Sequence, residues 1–167
     1  MAIKIGDKLP AGTLWELIEE ETPGCSIGPN SFKVEELVRG KRIAIFGLPG
    51  AFTPTCSARH LPGYIEHAAD FKGKGVADVV CLSVNDAFVM NAWSKDQNAA
   101  GKVTMVADGN GEFTKKMGLE MDASKFGMGL RSQRYAMLVD NGVVKKLEVE
   151  EPGAFKVSSA DHMLGLV

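Results

Sequence analysis

Cys56 lies in the segment LPGAFTPTCSARH, three residues after Thr53 and directly behind the Pro54-Thr55 pair. Threonine is a preferred N-cap residue, and proline is favoured at the first helical position because its missing N–H costs nothing there. If Thr53 is the N-cap, Cys56 falls in the first helical turn, where free N–H groups and the helix dipole favour thiolate over thiol. The spacing predicts either a nucleophilic thiolate or a small buried apolar side chain at an ordinary helix start.

Two arginines could stabilise such a thiolate. Arg131 and Arg134, in GLRSQRY, are both predicted to enter a strand that could join the same sheet as the strand that precedes Cys56. A guanidinium remains charged at any working pH, so either side chain would add to the effect of the helix start.

The elements around Cys56 alternate between strands and helices. Short apolar, β-branched runs predict strands, and segments with helical spacing of apolar residues lie between them. The predicted strands are 41–48, 77–84 and 103–107, and the predicted helices are 55–72, kinked at Pro62, then 86–99 and 112–117. This order implies right-handed crossovers and a parallel core, with PGAFTPTC beyond the carboxyl end of a strand, where sites of α/β sheets lie.

The chain ends add antiparallel strands and a last helix. Segments 134–140 and 143–149, joined by Asn141-Gly142, predict a hairpin, and a final helix is predicted to start at Ser158. Residues 32–38 are predicted to be helical, and 13–18 fit either a strand or a helix. The sum is an α/β protein with a mixed central sheet and flanking helices, most like a thioredoxin-like fold.

The bulk composition limits the function classes. A chain of 167 residues predicts one domain, 1–167, and 45% hydrophobic with 24% charged residues is typical of a soluble globular protein. The formal net charge of -2, without a basic cluster, argues against nucleic-acid binding. No signal peptide or membrane span is predicted, so we expect a cytoplasmic location. Cys25, Cys56 and Cys81 have no metal-ligand spacing and suit a reducing compartment.

The sequence resembles the peroxiredoxins. Pro49, Thr53 and Cys56 reproduce the PxxxTxxC pattern of that family, and the longer string PGAFTPTCSARHLPGY is similar to its type II, or type 5, branch. The strings CLSVNDAFVMNAW, RSQRYAMLVDNG and VSSAD follow in the expected order. The resemblance implies a thioredoxin-like fold and reduction of hydrogen peroxide or alkyl hydroperoxides without metal, haem or flavin.

The resemblance also implies roles for individual residues. Cys56 would be the peroxidatic cysteine, which attacks a peroxide oxygen and becomes a sulfenic acid. Thr53 would orient thiolate and peroxide, Pro49 would shield the pocket, and Arg134 would polarise the peroxide. Arg131 is the next choice of arginine. His60 matches a family-typical position beside the site, so we expect it to have a structural hydrogen-bonding role and not to act as a general base.

The second half-reaction has two possible routes. Ser158 stands where many animal relatives carry a resolving cysteine, whereas Cys81 matches the second cysteine of plant-type members. Cys81 is either the resolving thiol or a structural residue of an interior strand, and we expect it to lie too far from Cys56 for direct bridging. Glutathione, glutaredoxin or thioredoxin would then reduce the sulfenic acid. Cys25 is expected to be incidental, and the family implies a homodimer formed through the active-site end.

Two other function classes compete with the peroxidase. A peroxide-sensing thiol adaptor would oxidise at Cys56 with little turnover. A cysteine hydrolase or transferase would need a base such as His60 beside the thiol. Sustained peroxide consumption with a reductant distinguishes the peroxidase from the sensor, whereas labelling of Cys56 by acyl donors but not by peroxide would favour the hydrolase or transferase.

Overall fold

The computed structural model describes residues 1–167. Its strands are β1 Thr13–Ile18, β2 Gly28–Lys33, β3 Arg42–Leu48, β4 Asp78–Ser83, β5 Thr104–Ala107, β6 Glu120–Asp122, β7 Leu130–Ser132, β8 Tyr135–Asp140 and β9 Val143–Val149. Its α-helices are α1 Val34–Val38, α2 Leu61–Glu66, α3 Ala68–Gly73, α4 Ala87–Gln97, α5 Glu112–Met117 and α6 Ala160–Leu164. None of these helices has the length and apolar character needed to cross a bilayer.

The main sheet has seven strands in the order β2-β1-β5-β4-β3-β8-β9. The three central strands, β5, β4 and β3, are parallel, whereas β1 pairs antiparallel with β5 and β8 pairs antiparallel with β3. Strands β6 and β7 form a separate antiparallel pair. The predicted mixed sheet with a parallel core is confirmed, and the carboxyl ends of β3, β4 and β5 lie at one edge of it.

Side chains of the central strands alternate between two apolar layers, as the pleat of a strand requires. On β3, Phe46 and Leu48 enter the layer that also contains Cys56 and Cys81, and Ile45 enters the opposite layer. Helices α2, α3, α4 and α6 pack in the first layer and α1 and α5 in the second. The sheet is therefore buried on both faces, which explains why β3 is almost continuously apolar in sequence.

The predicted β8–β9 hairpin is confirmed. Its turn residues Asn141 and Gly142 both have positive φ, 47° and 83°, as the two-residue turns that match strand twist require. The register of β8 against β3 pairs Tyr135 with Gly47, so Arg134 enters the sheet beside the end of β3. This register brings an arginine from the far end of the sequence next to the Cys56 loop.

The helix after Cys56 differs from the prediction of a kink at Pro62. Residues Cys56–His60 form a π-helical turn, in which the Leu61 N–H bonds to the Cys56 carbonyl, and the break falls later, at His67, between α2 and α3. Proline has no N–H, and its ring crowds the carbonyl four residues back. The wider π turn relieves that crowding, and Pro62 then lies in the first turn of α2, where its missing N–H costs little.

The predicted N-cap of the last helix, Ser158, is wrong by one residue. Helix α6 begins at Ala160, because Ser159 is its N-cap and accepts the His162 N–H at 3.2 Å. The hydroxyl of Ser158 instead donates to Glu150. Both serines were suitable caps by residue type, and the bond to Glu150 decides between them.

The first 40 residues also contain more strand than predicted. Thr13–Ile18 is β1, paired in register with β2, Gly28–Lys33. The predicted helix over 32–38 is therefore reduced to α1, which begins at Val34. Lys33 ends the strand because its N–H bonds to the Glu36 carboxylate, which forms part of a capping box for α1.

Candidate active site

Cys56 lies in the first turn of a helix, as the sequence predicts. The helix begins at Pro54, and the Thr53 carbonyl accepts the Ser57 N–H at 2.9 Å, which makes Thr53 the N-cap by its backbone. The Thr53 side chain does not cap a backbone N–H. Its hydroxyl donates to the Gly50 carbonyl at 2.7 Å, which leaves the lone pairs of the oxygen able to accept a hydrogen bond. Cys56 itself is fully buried.

Arg134 reaches the sulfur of Cys56. Its Nη2 donates to Cys56 Sγ at 3.3 Å, and its Nη1 donates to His60 Nδ1 at 2.9 Å. A guanidinium has only donors, so the sulfur must accept, and a thiolate accepts better than a thiol. The two residues are 78 apart in sequence and meet because Arg134 enters the sheet beside the end of β3.

His60 holds the other side of the Arg134 guanidinium. Its Nε2 lies 3.0 Å from the Ser158 carbonyl, which can only accept, and its Nδ1 faces an Arg134 N–H, which can only donate. The ring is therefore neutral, with its proton on Nε2. Burial, and then the charge of Arg134, lower the pKa of His60 to about 3. A neutral ring with both nitrogens occupied has no free position from which to take a proton from Cys56.

Arg131 lies beside the active-site loop but does not reach Cys56. The prediction that both arginines enter one strand is wrong, because Arg131 is in β7 of the separate two-stranded sheet. Its Nε donates to the Met128 carbonyl at 3.0 Å and its Nη1 to the Pro49 carbonyl at 3.3 Å. A Cβ on Gly50 would lie 2.6 Å from that Nη1, so only glycine permits this approach. Arg131 thus braces the loop that carries Pro49.

A second brace on this loop was not anticipated from the sequence. The Ala51 N–H donates to Asn85 Oδ1 at 2.9 Å, and the Ser83 hydroxyl donates to the same oxygen at 2.6 Å. Behind Cys56, Trp93 Nε1 donates to the Ser57 hydroxyl at 3.1 Å. One feature of the sequence does indicate the contacts of Asn85: Ser83 is a polar residue at the end of the apolar strand β4, where its hydroxyl needs a hydrogen-bond partner.

Cys81 and Cys25 are free thiols in different settings. Cys81 is fully buried in the central strand β4, between Phe46 of β3 and Met105 of β5. Burial, and then the nearby Cys56, raise the pKa of Cys81 well above its usual range. Cys25 is half-buried and pairs its backbone with Thr22 in the loop between β1 and β2.

The structure thus brings together five of the residues singled out in the sequence. Arg134 contacts both Cys56 and His60 directly. Pro49 and Thr53 belong to the short loop and helix start between β3 and the π turn. A cavity of about 340 Å³ lies elsewhere, beside Val34, Val38 and Gly142, and includes none of these residues.

Comparison with known proteins assigns the family. A model of the Redoxin family matches residues 4–164. Peroxiredoxin-2B of Arabidopsis thaliana is 46% identical over 162 residues, which cover 97% of this chain and 96% of that protein. Reduced Prx3 of Vibrio vulnificus, solved in complex with hydrogen peroxide, superposes with a TM-score of 0.90 at 51% identity over 98% of both chains.

A more distant solved structure extends the agreement. Peroxiredoxin 5 of Alvinella pompejana superposes with a TM-score of 0.78 at 36% identity, over 89% of this chain and 90% of that one. The predicted thioredoxin-like fold and the predicted type II resemblance are confirmed by these matches. The chain therefore belongs to the redoxin family and is a peroxiredoxin, a thiol-dependent peroxidase.

Proposed function

We propose that the thiolate of Cys56 attacks one peroxide oxygen in line with the O–O bond. The S–O bond forms as the O–O bond breaks, Cys56 becomes a sulfenic acid, and the leaving oxygen departs as hydroxide or alkoxide and takes a proton to give water or an alcohol. The single observation that carries this proposal is the 3.3 Å contact between Arg134 Nη2 and Cys56 Sγ. That fixed charge lies where negative charge moves from sulfur to the leaving oxygen.

Thr53 and Pro49 complete the proposed site. The Thr53 hydroxyl donates its proton to the Gly50 carbonyl, so its lone pairs can accept the O–H of a peroxide. Pro49 has no N–H to attract water, and its half-buried ring is suited to shield the thiolate. His60 supports Arg134 and does not act as a base, since both of its ring nitrogens are occupied.

Stopped-flow measurement of peroxide consumption by the reduced protein tests these roles. Cys56→Ser should abolish the reaction, and Arg134→Gln should slow it by about 100-fold or more, as expected for loss of one fixed donor. Thr53→Val, which keeps the shape and removes the hydroxyl, should also slow it. Cys25→Ser is the matched control and should react at the wild-type rate. An Arg134→Gln protein that is as fast as wild type contradicts the proposal.

We propose that an external thiol, from glutathione, glutaredoxin or thioredoxin, reduces the sulfenic acid. That thiol forms a mixed disulfide with Cys56 and releases water, and a second thiol then releases Cys56. Burial in β4 supports an external route, because the raised pKa of Cys81 keeps it a thiol, and the thiolate is the attacking form. A disulfide with Cys56 would require local unwinding of the turn that carries Cys56.

Turnover of Cys81→Ser with each reductant tests this route. Retained peroxidase turnover with at least one of the three reductants is expected. Mass analysis after one equivalent of peroxide should show the sulfenic acid or a glutathione adduct on Cys56. Loss of turnover with all three reductants, together with an intramolecular disulfide in the wild type, would contradict the external route.

We propose a homodimer formed through the active-site end. Three phenylalanine side chains are exposed, namely Phe52 at 52%, Phe88 at 58% and Phe126 at 70%. Phe52 precedes Thr53 and Phe88 lies in the first turn of α4, so both follow the carboxyl ends of parallel strands. Exposed aromatic side chains at one end of a sheet are typical of protein interfaces.

We also propose that the protein is located in the cytoplasm. Three unpaired cysteines in a chain whose chemistry needs a reduced thiol are suited to a reducing compartment. Cell fractionation with an antibody against the chain tests this, and recovery mainly with an organelle or an envelope fraction contradicts it.

A further inference from the structure

One carboxylate holds the loop between β9 and α6. Glu150 Oε2 accepts the backbone N–H groups of Lys156, Val157 and Ser158 at 2.7, 2.9 and 2.9 Å, and the Ser158 hydroxyl at 2.7 Å. Glu150 is only 7% exposed. Burial raises the pKa of this carboxyl, but the hydrogen bonds, that of Ser158 first, lower it by more, so the group is a carboxylate. Hydrogen bonds to an ionised acceptor are stronger than neutral ones.

The same loop segment faces the active site from its other side. The Ser158 carbonyl accepts His60 Nε2 at 3.0 Å and the Tyr64 hydroxyl at 2.8 Å, and His60 Nδ1 accepts Arg134 Nη1 at 2.9 Å. Ser158, His60 and Tyr64 are at most 1% exposed. Water therefore does not substitute for any of these partners, and displacement of the Ser158 carbonyl would displace the His60 ring.

Two further contacts connect the loop to Arg134. The Glu150 N–H donates to the Arg134 carbonyl at 2.9 Å, which fixes the base of the side chain. The ring of Phe155, in the same loop, lies 5.8 Å from Arg134 Cζ and 5.1 Å from the His60 ring. The loop thus contacts Arg134 at its backbone, over its guanidinium and through His60.

We propose that Glu150 is a positioning residue for the peroxidase reaction, acting through His60 on Arg134. Its carboxylate fixes the Ser158 backbone, so that the carbonyl orients the imidazole and the imidazole holds the guanidinium against the Cys56 sulfur. The proposal rests on the role of Arg134 proposed above. It assigns a function in catalysis to a side chain that does not itself touch the sulfur.

A double-mutant cycle tests the proposal. The measured quantity is the second-order rate constant for oxidation of reduced Cys56 by hydrogen peroxide, per titratable Cys56 thiol, in wild type, Glu150→Ala, Arg134→Gln and the double variant. Glu150→Ala should lower this constant by about 10- to 100-fold, the scale of a misplaced catalytic group. In the Arg134→Gln background the same change should lower it by less than about 2-fold, because the coupled partner is already lost.

Two further variants separate positioning from folding. Glu150→Gln keeps an acceptor oxygen for the loop and should give an intermediate rate constant, and it replaces the Ala variant if that protein does not fold. Asp108→Asn is the matched control, since Asp108 is 2% exposed and accepts the N–H groups of Phe113 and Thr114 at 3.4 and 2.8 Å at the start of α5. Asp108→Asn should lower the melting temperature and leave the rate constant unchanged.

A spectroscopic readout follows the chain of contacts directly. The imidazole ¹⁵N shifts of His60 should report a single Nε2–H tautomer in wild type and a mixture of tautomers in Glu150→Ala. Wild-type rates in both Glu150 variants, or an equal loss with and without Arg134, would overturn the proposal. If Arg134→Gln alone reacts at the wild-type rate, the proposed role of Arg134 fails, and that arm identifies the failure.

Discussion

His60 should make the protein lose stability as the pH falls from 6.5 to 4.5. Its pKa is about 3 in the folded state, against 6.5 for an unperturbed histidine. Between these values the unfolded chain binds a proton that the native protein does not, so the free energy of unfolding decreases as the pH is lowered. Each pH unit is worth at most about 1.4 kcal/mol, and the unfolded imidazole is only half protonated at pH 6.5, so the loss over these two units is about 2 kcal/mol.

Glu150 and His67 also have shifted pKa values, but they affect stability mainly outside the range from pH 6.5 to 4.5. Glu150 has a pKa below its ordinary 4.5, so the stability contributed by its ionised carboxylate is present above pH 4.5 and is lost only at lower pH. His67 has a raised pKa, chiefly because it bonds Asp70 at 2.9 Å and also faces Asp161 at 2.9 Å. Its contribution is complete below pH 6.5 and is lost as the pH rises through the raised value. Neither group imitates the effect of His60.

Urea unfolding at pH 4.5, 5.5, 6.5 and 7.5 measures the effect. Wild type should lose about 2 kcal/mol between pH 6.5 and 4.5, whereas His60→Gln, which does not titrate, should lose less by about that amount. His67→Gln is the matched control and should follow the wild-type slope in this window, and differ from it only above pH 6.5. Parallel curves for wild type and His60→Gln would refute the reasoning, because His60 would then be protonated in the folded protein.

Two further predictions concern packing and assembly. Gly47→Ala should destabilise the fold by about 1–3 kcal/mol or more in urea unfolding, because the added Cβ would overlap the Tyr135 ring. Gly73→Ala is the control and should be neutral or stabilising, because no atom lies within 4 Å of the added Cβ. Equal losses of stability in the two variants would contradict this prediction. Phe88→Asp should shift the protein toward monomer in sedimentation velocity. Ile27→Asp, at a 66% exposed position in the β1–β2 loop, is the control and should not. A Phe88→Asp protein that remains as dimeric as wild type would rule out a dimer formed through the active-site end.

The parts of the fold that depend on local sequence were predictable. The strands β3 and β4 are apolar, β-branched runs, and Asp86 caps α4 by accepting the Val89 N–H at 2.8 Å. Asn141-Gly142 specifies its own turn because both residues tolerate positive φ. Each of these features is set by residues within a few positions of one another, which is the range that pattern reasoning covers.

The contacts that complete the candidate site are not local. His60 and Ser158 are 98 residues apart, and the atom that accepts the imidazole is a backbone carbonyl, which every residue possesses. The Glu150 carboxylate accepts backbone N–H groups of residues six to eight positions later in the sequence. Nothing in its residue type distinguishes it from a solvent-exposed glutamate. The π turn likewise arises from competition between Pro62 and the preceding carbonyls, and residue preferences do not resolve that competition.

The complete burial of Cys56 has a kinetic consequence. A glutathione or protein thiol is much bulkier than a peroxide, so on the external route proposed above we expect the first helical turn to open before such a thiol reaches the sulfur of Cys56. At high reductant concentration the opening rate then limits turnover. Glutathione and a protein thiol would reach the same maximal rate, and they would differ only in the concentration needed to approach it.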